Sequence, residues 1–195
     1  MLKKVLLVVA AIVAVLVAVI ATRPAGYQVE RSATVAAPPE VVYAQVADFG
    51  RWAQWSPWAK LDPGMKTTLT GAPGSVGHGY AWVGNDKVGE GRMTITEAAP
   101  GSRVAIKLEF LKPMEAVSPT TFTFAPDGAG TRVSWKMVGT NNFMGKAMSL
   151  FMDFEKMIGG DFEKGLSQLR AAAEAEARAA PPSGGEAAAA AAPSR

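Results

Sequence analysis

Hydrophobic and polar positions follow three different periods along this chain. From Val5 to Ala21, seventeen residues in a row are apolar. A run with no polar face is neither an amphipathic surface helix nor an ordinary core helix, and its length is just enough to cross a membrane. From about Gln28 onward the period drops to two. Val104, Ile106, Leu108 and Phe110 alternate with Arg103, Ala105, Lys107 and Glu109, the pattern of a half-buried strand. Phe122 and Phe124 alternate with threonines, and Val133, Trp135 and Met137 alternate with Arg132, Ser134 and Lys136, with Asp127-Gly128-Ala129-Gly130 as the hairpin between them. The spacing predicts a first strand over about Gln28–Val35 and about seven antiparallel strands in all.

Beyond Asn142 the period becomes helical. Met148, Phe151, Ile158, Phe162, Leu166 and Leu169 fall on one face at steps of three and four. One-sided strands need a cover, so this segment is expected to lie as one long helix across the sheet. Counting around it places Glu155 inside the apolar arc, between Phe151 and Ile158. A carboxylate there either points into a cavity, where it can orient a ligand or accept a proton, or pairs with a sheet Arg or Lys, or reaches solvent. Ala171 to Ala180 can extend the helix, and Pro181-Pro182 stops it. The Ala-rich remainder predicts a disordered tail over 179–195.

The segment Ala37–Trp58 reads APPEVVYAQVADFGRWAQWSPW. Pro38 and Pro39 suit the first turn of a helix, Glu40 its positive end, and Asp48 caps a second turn carrying Phe49 and Trp52. Together with Leu61-Asp62-Pro63, Gly84-Asn85, Gly89 to Ile95 and the closing Met157 to Leu166, it resembles the SRPBCC superfamily, the START-like helix-grip proteins that include polyketide cyclase/dehydrase-like members. The resemblance covers roughly Tyr27 to Arg170. It implies an α+β fold in which a curved antiparallel sheet wraps a long C-terminal helix. It also implies a hydrophobic small molecule or lipid bound between the two. Candidate lining residues are Trp58, Tyr80, Trp82, Phe122, Phe124, Trp135, Phe151, Glu155, Ile158 and Phe162, whereas Trp52 and Trp55 are expected to pack the short helices onto the sheet. Two rival readings stand beside this one. The first is a cyclase-like enzyme using Glu155, His78 or Tyr80 as acid or base; the second is an interaction module whose cavity is filled by its own side chains.

Charge and composition narrow the choice. The formal net charge is +3, and without Lys3 and Lys4 the balance is 18 basic against 17 acidic residues. Nucleic-acid binding therefore lacks an electrostatic basis. With no cysteine, thiol nucleophiles, disulfides and thiolate metal sites are excluded. His78 is the sole histidine. A lone histidine after a Gly-rich turn is more often a surface residue than half of a His–Tyr pair polarising a carbonyl. No His, Asp or Glu set has metal-ligand spacing, so neither metal nor cofactor is expected. Gly139 to Ala147 has one residue too many for a phosphate loop, and Ala147 stands where Ser or Thr is required.

Lys3, Lys4 and the amino terminus outweigh Arg23, which predicts a cytoplasmic stretch over 1–4, an anchor over 5–21 in the inner membrane, a linker over 22–26 and a domain over 27–178 facing the periplasm or exterior. The alternative is a signal peptide cleaved after Val19-Ile20-Ala21, giving a secreted domain.

Overall fold

The computed structural model describes residues 1–180; of the tail expected over 179–195, Ala179 is the last helical residue and Ala180 its cap, and the part from Pro181 onward lies outside the described residues. The apolar run forms α1 (Leu2–Thr22), about 32 Å long at 1.5 Å per residue. Among the described residues it is the one helix long and apolar enough to cross a membrane. Only Ile20 in it is buried.

Strand β1 (Gly26–Val35) follows after three residues and leads into α2 (Pro39–Ala47), which has proline at its start and Glu40 in its first turn. Asp48 then accepts a hydrogen bond from the Gly50 N–H (2.8 Å) and caps a single 3-10 turn that runs into α3 (Trp52–Trp55). Six strands follow as a meander: β2 (Lys66–Thr70), β3 (Gly79–Val83), β4 (Glu90–Ala99), β5 (Arg103–Lys112), β6 (Ala116–Asp127) and β7 (Gly130–Thr140). Their order is β1-β7-β6-β5-β4-β3-β2, antiparallel throughout, with β1 docked on the outer side of the last strand. Register shifts between Ile95 and Glu97 and between Glu90 and Gly91 are the irregularities that bend a strand. The alternation anticipated in β5, β6 and β7 is present: Val104, Ile106, Phe122, Phe124, Val133, Trp135 and Met137 are buried on the concave face.

The cover is two helices rather than one. α4 (Phe143–Met148) is capped by Asn142, which accepts from the Gly145 N–H (2.9 Å). The chain then turns through 149–153, and α5 (Phe154–Ala179) starts anew with Asp153 accepting from the Lys156 N–H (3.0 Å). The two helices have independent phases, so counting across the break misplaces Phe151. It lies in the turn and is 87% exposed, not on the sheet. From Phe162 onward the expected face holds: Phe162, Leu166 and Leu169 are buried, joined by Ala173.

α5 packs on β1, α2 and α3, and glycines set how close it comes. A Cβ on Gly165 would stand 2.8 Å from the Trp135 ring and 3.2 Å from Pro57 Cδ, whereas one on Gly160 would meet open space. Gly160→Ala should therefore raise stability by up to about 1 kcal/mol through helix propensity. Gly165→Ala should lower it, since overpacking against a rigid ring costs about 1–3 kcal/mol. Urea midpoints of the two variants test this contrast.

Candidate functional site

The deep part of the concave face is solid. Trp135 stacks on Phe162 with ring centroids 4.0 Å apart and planes 10° from parallel, and Phe122 lies against Trp135 at 4.8 Å. Trp55 meets Trp135 edge-on at 5.9 Å. The indole N–H groups of Trp52 and Trp55 donate to the Val46 and Gln45 carbonyls (2.9 and 3.1 Å), so both rings are packing elements, as expected of them. Phe122, Phe124, Trp135 and Phe162 thus belong to the buried core, Phe124 against Tyr43 at 5.8 Å. Two surface concavities stand out among the described residues; one is a groove on α1 beside Ile12. The other is a polar groove of about 240 Å3 on the outer sheet face between Glu30, Arg103, Thr121, Thr123, Ser134 and Lys136. Neither lies between α5 and the sheet.

Toward the end of the sheet where β7 finishes, several side chains at the edge of the core are only half-buried, and this edge is the mouth of the grip. Trp58, Met65, Tyr80, Leu108, Phe110 and Ile158 are half-buried and packed on the edge of the core. Strand register places Tyr80 opposite Met93, Met93 opposite Leu108, and Leu108 opposite Ser118, a row across four strands. One step further out, Trp82 pairs with Gly91 and Gly91 with Phe110. Gly91 leaves room for the Trp82 ring, which a side chain at that position would strike. The Trp82 N–H donates to the Val88 carbonyl (3.0 Å). Trp58 closes the other side, edge-on to Trp135 (5.9 Å) and Phe162 (6.4 Å).

This mouth also carries a few polar groups. Ser118 and Thr120 are buried residues on the same face of β6, and the Thr120 hydroxyl donates to the Ser118 carbonyl (3.2 Å). Burial pushes the Tyr80 phenol pKa up and keeps it a neutral donor. Of the residues expected from sequence, Trp58, Tyr80, Trp82 and Ile158 therefore gather at the mouth. Met65, Leu108, Phe110, Ser118 and Thr120 were not among them. Alternation marks four of these five as inward-facing, but not which end of each strand lies open.

Glu155 takes the pairing course. Its side chain is 54% exposed and binds the Arg31 guanidinium at 2.7 Å. Arg31 projects from β1 across Gly159 of α5, with Glu155 one turn before and Glu163 (2.7 Å) one turn after. A side chain at Gly159 would collide with the guanidinium. The expectation that Glu155 lines the cavity is thereby corrected: the helix restart at Asp153 turns it outward. Such part-exposed pairs contribute about 0–1 kcal/mol each and chiefly fix register. Lower on α5, Glu176 is held below the usual carboxylate range by Arg51 (2.7 Å), and Glu174 by the Ala36 N–H and then Arg170. On the outer face of β5, Arg92 and Lys107 bring Glu109 down to about 2.

His78 is neither on the surface nor in the mouth. It is 1% exposed, its Nε2 accepts from the Phe49 N–H (3.1 Å), and its Nδ1 lies 2.9 Å from the Thr70 carbonyl. A neutral imidazole protonated at Nδ1 satisfies both contacts. The ring also stacks on Phe49 at 4.9 Å. Both nitrogens are committed to backbone, so the histidine ties the capped turn to β2. No group of three His, Asp or Glu among the described residues is placed to hold a metal ion.

A seven-stranded antiparallel sheet gripping a long C-terminal helix, with an apolar mouth at one end, is a START-like, SRPBCC-type architecture. The chain belongs to the family described as polyketide cyclase / dehydrase and lipid transport, whose model matches residues 27–174. Among solved structures it is similar to a Chromobacterium violaceum protein at 21% identity and TM-score 0.55, covering 75% of this chain and 96% of that one. It is also similar to a Thermus thermophilus protein at 20% and 0.54, covering 77% and 99%. A third likeness is to the di-domain ARO/CYC StfQ of the steffimycin biosynthetic pathway, at 12% and 0.59, covering 79% of this chain and 53% of that one. At these identities the likeness is one of fold. Among curated proteins none matches.

Proposed function

We propose that this protein is a membrane-anchored binder of a hydrophobic small molecule or lipid, held in the mouth of the helix grip. The carrying observation is the row in which half-buried Tyr80 and Leu108 alternate with buried Met93 and Ser118, beside half-buried Trp58, Phe110 and Ile158. A concave apolar surface with a few fixed hydroxyls is the usual make-up of a small-molecule site. The closed aromatic core beneath it stops the ligand at the mouth. α1 supplies the anchor, and Lys3 and Lys4 set the domain on the far side of the membrane, in the periplasm or outside the cell. An enzymatic role is disfavoured by geometry: His78 is saturated by backbone, Glu155 sits in a surface ion pair, and only Tyr80 of the three acid–base candidates remains at the mouth.

The packed interior favours, as the second reading, an interaction module with no ligand. Native mass spectrometry of the full chain released from detergent separates the two. The expected result is a discrete mass adduct whose occupancy falls about tenfold, or roughly 1.4 kcal/mol, in Leu108→Arg, with unchanged circular dichroism. An adduct equally abundant in both proteins, or none in either, would sink the binding reading.

A further inference from the structure

We infer that the end of the domain nearest α1 is a membrane-docking lip, resting on the same lipid bilayer that holds α1 and turning the mouth of the grip toward it. This rests on the reading of α1 as a bilayer anchor. The first observation is where the exposed apolar side chains lie. Beyond α1, the described residues expose twelve large hydrophobics, and all but Leu69 and Val76 sit on elements at one end of the sheet. Strand pairing defines that end: Lys66 faces Val83, Val83 faces Glu90, Glu90 faces Lys112, and Gly26 faces Thr140. There the hairpin joining β5 and β6 exposes Leu111 and Met114, α4 exposes Phe143 and Met144, and the following turn exposes Phe151 and Met152. Apolar exposure gathered on one end marks an interaction surface rather than scattered surface residues.

The second observation names the occupant. Only Arg23, Pro24 and Ala25 separate α1 from β1, a leash of about 14 Å when fully extended. The leash is also tied down. Lys146 Nζ of α4 donates to the Ala21 carbonyl at 3.2 Å, and the Asn141 N–H donates to the Ala25 carbonyl at 2.7 Å. Ile20 is the one buried residue of α1. Ala21 is where the apolar run ends, so α4 stands at the depth where the hydrocarbon core gives way to headgroups. Phe and Met side chains at that depth enter the interface, while Lys146 keeps its ammonium at the boundary, on the Ala21 carbonyl. The half-buried mouth residues Trp58, Leu108 and Phe110 lie at this same end, giving a hydrophobic ligand a path from bilayer to grip without crossing water.

The chain has no cysteine, so single substitutions label it uniquely. Full-length Met144→Cys, Phe151→Cys, Val76→Cys and Val13→Cys would each carry an NBD fluorophore in liposomes of phosphatidylcholine and phosphatidylglycerol with nitroxide-bearing lipids. The expected result is severalfold stronger quenching by shallow nitroxides at positions 144 and 151 than at 76, and quenching by deep nitroxides at 13. If 13 is quenched while 144 and 151 match 76, the anchor stands and the lip is overturned. Blue-shifted but unquenched emission at 144 and 151 would show that protein, not lipid, covers this end, and also overturns it. An unquenched label at 13 removes the anchor and the lip together.

Discussion

Phe162→Ala should lower the free energy of unfolding by about 3–5 kcal/mol, the range for emptying a large aromatic site that cannot collapse. Phe162 is 1% exposed and lies face to face with Trp135, a contact that adds about 0.5–1.5 kcal/mol to simple area burial. The surroundings cannot close the gap. Trp52 and Trp55 are held by their indole hydrogen bonds, and Gly165 already brings the helix backbone against the Trp135 ring. The loss corresponds to a fall in Tm on the order of 10 °C for a domain of this size. Denaturant unfolding of the full chain followed by tryptophan emission measures it. A change below about 1 kcal/mol would mean that α5 does not present this face to the sheet.

His78→Phe should cost about 1–3 kcal/mol, because the buried Phe49 N–H is stranded without a partner, whereas the carbonyl of exposed Thr70 can turn to water. The phenyl ring can keep the stack on Phe49, so the substitution isolates the hydrogen bonds to the Phe49 N–H and the Thr70 carbonyl. His78→Asn retains a donor and an acceptor and should recover part of the loss. Were His78 an acid–base group instead, its replacement would spare the urea midpoint and act only on turnover. The two outcomes separate a structural linker from a catalyst.

Both residues show how far local pattern reaches. The face that buries Phe162 was legible in the sequence because Phe162, Leu166 and Leu169 lie within one uninterrupted helix, where the period of 3.6 holds. Phe151 was misplaced by the same arithmetic, because Asp153 caps a new helix and resets the phase. Glu155 followed Phe151 in the count, and only the approach of Arg31 over Gly159 shows what it binds. His78 offered no signal at all, since its partners lie eight residues away in β2 and at Phe49 in the capped turn.

What the sequence by itself determined is whatever depends on neighbours a few residues apart: the inward and outward faces of β5, β6 and β7, the capped turn at Asp48, and the unbroken apolar length of α1. What only the tertiary structure decided is whatever depends on register between distant segments. Pairing of β3 with β4, β4 with β5 and β5 with β6 brings Tyr80, Leu108 and Ser118 into one row, and the bond from Lys146 to Ala21 sets α4 beside α1. An alternating strand specifies which side of the sheet a residue takes. Where along the strand the cover stops, and hence which inward residues stay open, is set by the position of α5 and the break before it.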